Sequence, residues 1–288
     1  MKKNKVSGLL VGIVCASLFV AAVSFASGPP GIRYTIHNLS NASPSNYKAE
    51  SEDEICIFCH TPHGGSLTGP LWNRPTAVTG VADGNFYGFA ADLKSAAYFT
   101  HYNSVTLTAA ARGDTRTVND ESLLCMTCHD GTIAVNRVLN VSNRTAPDPT
   151  YPTMRIDNAS DQWVPVISTA GFPTVPGPVI GDSLAKIALG DPPGGDLSDD
   201  HPISFNYATV QTDPAETGLW PLATAVSNGV RFFGGNRVEC STCHDPHVDY
   251  GDASMGSPNS GDVNHTKYTP FLIMSNEASA LCLACHIK

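Results

Sequence analysis

Residues 240–247 read Cys-Ser-Thr-Cys-His-Asp-Pro-His. Two thiols three positions apart, with an imidazole directly after the second, recur at Cys56/Cys59–His60, Cys125/Cys128–His129 and Cys282/Cys285–His286. C-x-x-C-H is the attachment signature of c-type haem. Two thiols one helical turn apart can add to the vinyl groups on one edge of a porphyrin, and the next residue then sets its imidazole under the iron. Eight exported cysteines could instead close four disulfides. The pairs could also be zinc knuckles or thioredoxin-like redox pairs. None of these alternatives calls for histidine after every pair. With 10 His in 288 residues, four such placements by chance have a probability of roughly 10⁻⁶ if positions are independent. The expected prosthetic groups are four covalent haem c.

Four irons have eight axial positions, and His60, His129, His244 and His286 fill four. Six histidines remain: His37, His63, His101, His201, His247 and His265. Methionine, the other common sixth ligand, is scarce beyond the leader: Met126, Met154, Met255 and Met274. Met126 sits inside a C-x-x-C loop, badly placed for its own iron. Four low-potential bis-histidine haems are therefore expected. His63 and His247 each follow a motif histidine by three residues. That loop is too short to round the porphyrin edge, so each is expected to serve a neighbouring haem. His201 precedes Pro202, which favours extended backbone, and His37 lies in "YTIHNLS". These four are the expected distal ligands, with His101 and His265 as spares.

The rest of the chain fits this scheme. Lys2, Lys3 and Lys5 precede an uncharged run, Val6 to Phe25, with small residues at Ser24 and Ala26. This reads as a secretory signal, residues 1–26, cleaved after Ala26. An uncleaved anchor and lipidation at Cys15 are the weaker alternatives. Residues 27–288 are expected to form one domain. The second and third motifs start 115 residues apart, and the stretch between them holds a Pro/Gly-rich haemless insertion, 140–195, with room for a small β element. Asp196, Asp199 and Asp200 read as a solvated turn. Cap-like residues precede the motifs: Ser51 to Glu54, Asn119 to Glu121, and Asn276–Glu277. A further helix is expected over 84–99. With 25 Gly, 21 Pro and 8% aromatics, ordinary apolar packing is thin, and the macrocycles would supply much of the core. The fold class expected is a multihaem cytochrome c: mostly irregular, with short α-helices at the motifs, little β, and an extended haem chain as core. A net charge of −9 argues against nucleic acid as a partner.

Several strings taken in order, "YTIHNLS", "CIFCHTPH", "PLWNRP", "SLLCMTCHDGTIAV", "DDHPISFNY", "CSTCHDPH" and "FLIMSNEASALCLACHIK", resemble the tetrahaem outer-surface cytochromes of metal-reducing bacteria, in particular those that polymerise into extracellular filaments. The likeness runs from about 33 to 288, with 140–195 poorly matched. It implies bis-histidine ligation by His37, His63, His201 and His247. It also implies that one distal histidine, His63 or His37, reaches an adjacent subunit, where the haem at His286 could receive it. A subunit that lends a ligand at one end and borrows one at the other makes a heterologous, open interface, hence a fibre. The expected partners are other copies of the chain, periplasmic or outer-membrane electron donors, and extracellular acceptors. The expected location is the cell surface or an extracellular filament.

Two other readings compete with this electron conduit. One is a monomeric periplasmic carrier that recruits His101 or His265. The other is a multihaem reductase, which needs an open iron with acid/base groups nearby. The surplus of histidines speaks against an enzyme.

Overall fold

The computed structural model describes residues 30–45, 47–49, 52–65, 71–74, 100–112, 118, 120–129, 138–140, 154–156, 196–215, 218–262 and 265–288. The expected leader, the 84–99 helix and most of the 140–195 insertion lie outside them. Among the described residues, short elements alternate with irregular segments. The helices are α1 (Asp120–His129), α2 (Tyr207–Gln211), α3 (Leu222–Ser227), α4 (Cys240–Cys243) and α5 (Ala280–Cys285). The first C-x-x-C motif is a single 3₁₀ turn, Cys56–Phe58. Among the described residues, four further 3₁₀ turns (Ile32–Tyr34, Ala253–Met255, His265–Tyr268 and Glu277–Ser279) and three two-stranded pairs complete the regular structure. β1 (Tyr47–Ala49) runs antiparallel to β3 (Met154–Ile156), which is the small β element expected in the insertion. β2 (Thr100–His101) runs parallel to β4 (Asp196–Leu197), and β5 (Phe205–Asn206) antiparallel to β6 (Arg237–Val238). Among the described residues no helix is long and apolar enough to cross a membrane.

Local chemistry explains where the elements start. The Asn206 side chain caps α2 by accepting the Thr209 N–H at 2.9 Å. α4 opens with a reciprocal cap, in which Thr242 Oγ1 accepts the Glu239 N–H at 2.9 Å while the Glu239 carboxylate reaches back to the third-residue backbone. α1 begins at Asp120, inside the expected cap cluster. The other two expected caps differ. Glu52 turns its carboxylate onto the Glu54 N–H at 2.9 Å, and no side chain caps the first motif. At the C-terminus Ala278 and Ser279 take left-handed backbone, so α5 starts after a kink rather than at Asn276.

The apolar packing is divided. The largest cluster joins Phe205, Tyr207, Val210, Ala225, Val230, Val238, Ile273 and Ala284, all from the C-terminal third except for the added Ala111. Two smaller clusters surround Phe58 and Met126. Met126 is fully buried against Val118 and Leu197, so it is a packing residue, as its place in the motif suggested. A polar hub links the pieces. Glu239, 1% exposed, accepts from Ser122 at 2.5 Å and Ser204 at 2.8 Å, and faces Arg237 at 3.2 Å. Ser122 Oγ in turn accepts the Cys240 N–H at 3.0 Å. This hub ties α1 to α4 and to the strand that follows His201. Burial raises the Glu239 pKa, and the two hydroxyls and Arg237 oppose the rise.

Candidate functional site

Three of the motif histidines are held by one backbone device. The first motif is clamped by Thr61 N–H to Leu71 O at 2.9 Å and Asn73 N–H to Cys59 O at 2.8 Å. The third repeats it with Asp245 N–H to Phe271 O at 2.8 Å and Ile273 N–H to Cys243 O at 3.0 Å. The fourth uses Ile287 N–H to Gly218 O at 2.7 Å and Trp220 N–H to Cys285 O at 2.8 Å. In each case the histidine forms a two-residue bridge with the middle of a tripeptide: His60 with Trp72, His244 with Leu272, His286 with Leu219. Leu71 and Phe271 even share a left-handed φ, 54° and 56°. Sequence reasoning missed this clamp. Its only trace was the likeness of "PLWN" to "PFLI", both opening on proline.

The histidines then meet in pairs, one from a motif and one from outside the C-x-x-C-H set. His37 faces His129 with ring centres 6.0 Å apart, His60 faces His247 at 6.2 Å, and His201 faces His286 at 6.4 Å. The first and last pairs are crossed, at 79° and 72°, and the middle pair is near parallel at 19°. A metal–imidazole bond is about 2 Å, so one metal between two rings holds their centres about 6 Å apart. The spacing therefore fits a haem iron with two histidine ligands. Among the described residues none of the eight motif cysteines is in a disulfide.

His37 is carried by a loop of buried small polar residues. Thr35 Oγ1 accepts the His37 N–H at 3.2 Å and donates to Ile32 O at 3.0 Å, and Asn38 Oδ1 accepts from Ser40 at 2.7 Å. Phe271 stacks on the ring at 4.3 Å. Burial, reinforced by His129, holds the His37 pKa down at about 4, so the imidazole is neutral and free to ligate at neutral pH. Its Nδ1 is buried without a hydrogen-bond partner of good geometry among the described residues, and the Pro246 backbone beside the ring works against the lowering. Other rings are oriented from behind. His201 Nδ1 donates to Pro202 O at 2.8 Å and His244 Nδ1 to Pro270 O at 2.9 Å, which leaves Nε2 for a metal in both. His247 Nδ1 instead donates to the Asp245 carboxylate at 2.8 Å. That carboxylate is held well below the usual range, first by this bond.

The thiols of successive motifs are neighbours. Burial, and then Cys128, push Cys59 up to about 12, while burial and Cys285 push Cys243 up to about 12. Burial raises Cys285 to about 11. The Cys125 thiol donates to Cys240, which raises the one and lowers the other. Most of these thiols stay protonated at neutral pH, unlike a thioredoxin nucleophile.

Two expected ligands remain without a ring partner among the described residues. His63 is exposed, its carbonyl held by Thr61 Oγ1 at 3.0 Å, and His244 is also exposed. Of the spares, His101 is buried in the β2–β4 pair and His265 faces Asp262 at 3.3 Å. Among the described residues no three or more His, Cys, Asp or Glu side chains gather as a metal site. No protein-family model and no curated protein matches this sequence.

Proposed function

We propose that this chain is a tetrahaem c-type cytochrome that conducts electrons as the subunit of an extracellular filament. The observation that carries the reading is the set of three histidine pairs, each a motif imidazole against a non-motif imidazole at the separation one shared metal allows. The motif cysteines would hold the four haems: Cys56/Cys59, Cys125/Cys128, Cys240/Cys243 and Cys282/Cys285. His60/His247, His129/His37 and His286/His201 would ligate three irons within the chain. The bound haems supply one-electron exchange, and the protein fixes their order, shields them and sets their potentials.

The pairs also outline two repeated modules. In each, an upstream histidine serves the second motif: His37 faces His129, and His201 faces His286. In each, the first motif carries a second histidine three residues on. The second module's His247 reaches back to the first module's His60. Continued by the same step, His63 reaches back to His244 of a preceding copy. His63 is thus the crossing ligand and the iron on His244 its recipient. His37 and His286, the other candidates, already have partners within the chain. The interface is heterologous and propagates without closing.

A monomeric periplasmic carrier is the second reading. The His60–His247 contact sets the two His-x-Pro-His turns side by side, so His63 could serve His244 of its own chain. Reduced, haem-loaded monomers separate the two. The conduit predicts one CO-binding iron per monomer and none along assembled filaments. The carrier predicts none in the monomer and no filaments in electron micrographs. A secreted chain whose intact mass lacks haem would remove both.

A further inference from the structure

The ring nitrogens behind the candidate ligands do not all meet the same chemistry. His201 and His244 donate to neutral backbone carbonyls. His247 donates to a full carboxylate, Asp245 Oδ1, at 2.8 Å, and the same oxygen accepts the His247 backbone N–H at 3.0 Å. The other carboxylate oxygen faces Arg231 at 3.2 Å. Asp245 is thus locked onto one imidazole by two bonds from that residue and one from a cation. The corresponding position of the first motif is Thr61, whose hydroxyl turns to the His63 carbonyl and not to its ring.

A carboxylate on the far nitrogen fixes the tautomer and strengthens the near nitrogen as a donor to metal. Stronger donation, together with a fixed negative charge close to the iron, favours the oxidised state, which carries one more positive charge. Second-shell hydrogen bonding is one of the levers by which a protein sets a haem potential. We propose that Asp245 is a positioning and tuning residue that makes the haem between His60 and His247 the lowest-potential centre of the chain, with Arg231 setting the limit of that effect. Electrons would then rest on the other three haems, and this centre would be an internal step that each electron must climb. The inference rests on the haem reading above.

The test uses full-length, haem-loaded protein. Asp245→Asn keeps an oxygen that can accept from Nδ1 but removes the charge. Arg231→Gln removes the cation and leaves the carboxylate uncompensated. Haem content is measured first, then the four one-electron steps by spectroelectrochemical titration, with electron paramagnetic resonance of the oxidised protein. The near-parallel ligand planes of this centre give it a rhombic low-spin signal, separable from those of the crossed pairs. Asp245→Asn should raise the lowest step by at least a tenfold change in its equilibrium constant, about 59 mV for one electron, and shift the rhombic signal. Arg231→Gln should lower the same step. A merely structural ion pair would move both variants in one direction. Unchanged potentials in both variants, or a change confined to another step, would overturn the inference. Fewer than four haems in the wild-type chain would instead overturn the reading on which it stands.

Discussion

The turns His60-Thr-Pro-His63 and His244-Asp-Pro-His247 share spacing, proline and backbone clamp, yet they leave their second histidines in different states. In the later turn a carboxylate grips the ring, and the imidazole stands against His60. In the earlier turn the Thr61 hydroxyl is spent on backbone, Asn140 holds the turn's carbonyls at 3.3–3.4 Å, and the His63 ring faces solvent. Both second histidines are exposed, but only His247 is gripped by a carboxylate and set against another imidazole. A backbone can therefore be copied while one side chain, Asp245 or Thr61, decides whether the second ring is held.

That contrast breaks most sharply at the two histidines. His247→Ala should open a second iron, so that reduced monomers bind two CO per chain instead of one. Its filaments, if they form, should bind one per subunit. His63→Ala should leave the monomer's CO stoichiometry unchanged and abolish filaments in electron micrographs. Normal filaments from His63→Ala would sink the shared ligand.

The next contrast lies in the clamps. Phe271 is buried and stacks on His37, whereas Leu71 occupies the same left-handed backbone position with its side chain 54% exposed. Phe271→Gly should cost about 3 kcal/mol in urea titrations through lost packing. A smaller loss is expected at the hub between the modules. Glu239→Gln should cost about 1–3 kcal/mol, because the amide cannot satisfy Ser122, Ser204 and Arg237 together. Smallest is Leu71→Gly, where relief at φ 54° and added freedom in the unfolded chain nearly cancel, leaving a change below about 0.5 kcal/mol. Equal losses from Phe271→Gly and Leu71→Gly would mean that the packing of Phe271 on His37 adds nothing to its clamp.

The four C-x-x-C-H motifs were legible because each is a contiguous string with fixed residue type and spacing. Of the four expected distal histidines, the structure sets His37, His201 and His247 against motif histidines, while His63 has no ring partner among the described residues. Which ring meets which depends on contacts across 92 positions for His37–His129 and 187 for His60–His247, and no local pattern records such pairings. Asp245 was visible as a letter, but its role needed the ring's orientation. Of the expected cap at Ser51 to Glu54, Ser51 lies outside the described residues, Glu52 takes the Glu54 N–H, and the first motif's turn opens at Ile55 with no side-chain cap. The kink before α5 arises from two left-handed residues, Ala278 and Ser279, that carry no glycine signature.

The clamp is indifferent to where its strand comes from. For His60 the partner tripeptide lies shortly downstream, for His244 more than twice as far downstream, and for His286 well upstream. Closing a loop twice as long costs only about 0.6 kcal/mol more, and only main-chain atoms are recognised. A lineage could therefore lengthen, shorten or reorder the connecting segments, or accept a foreign domain between a motif and its strand, without retuning the ligand geometry. Such freedom lets the connecting segments vary while the clamped histidines keep their places.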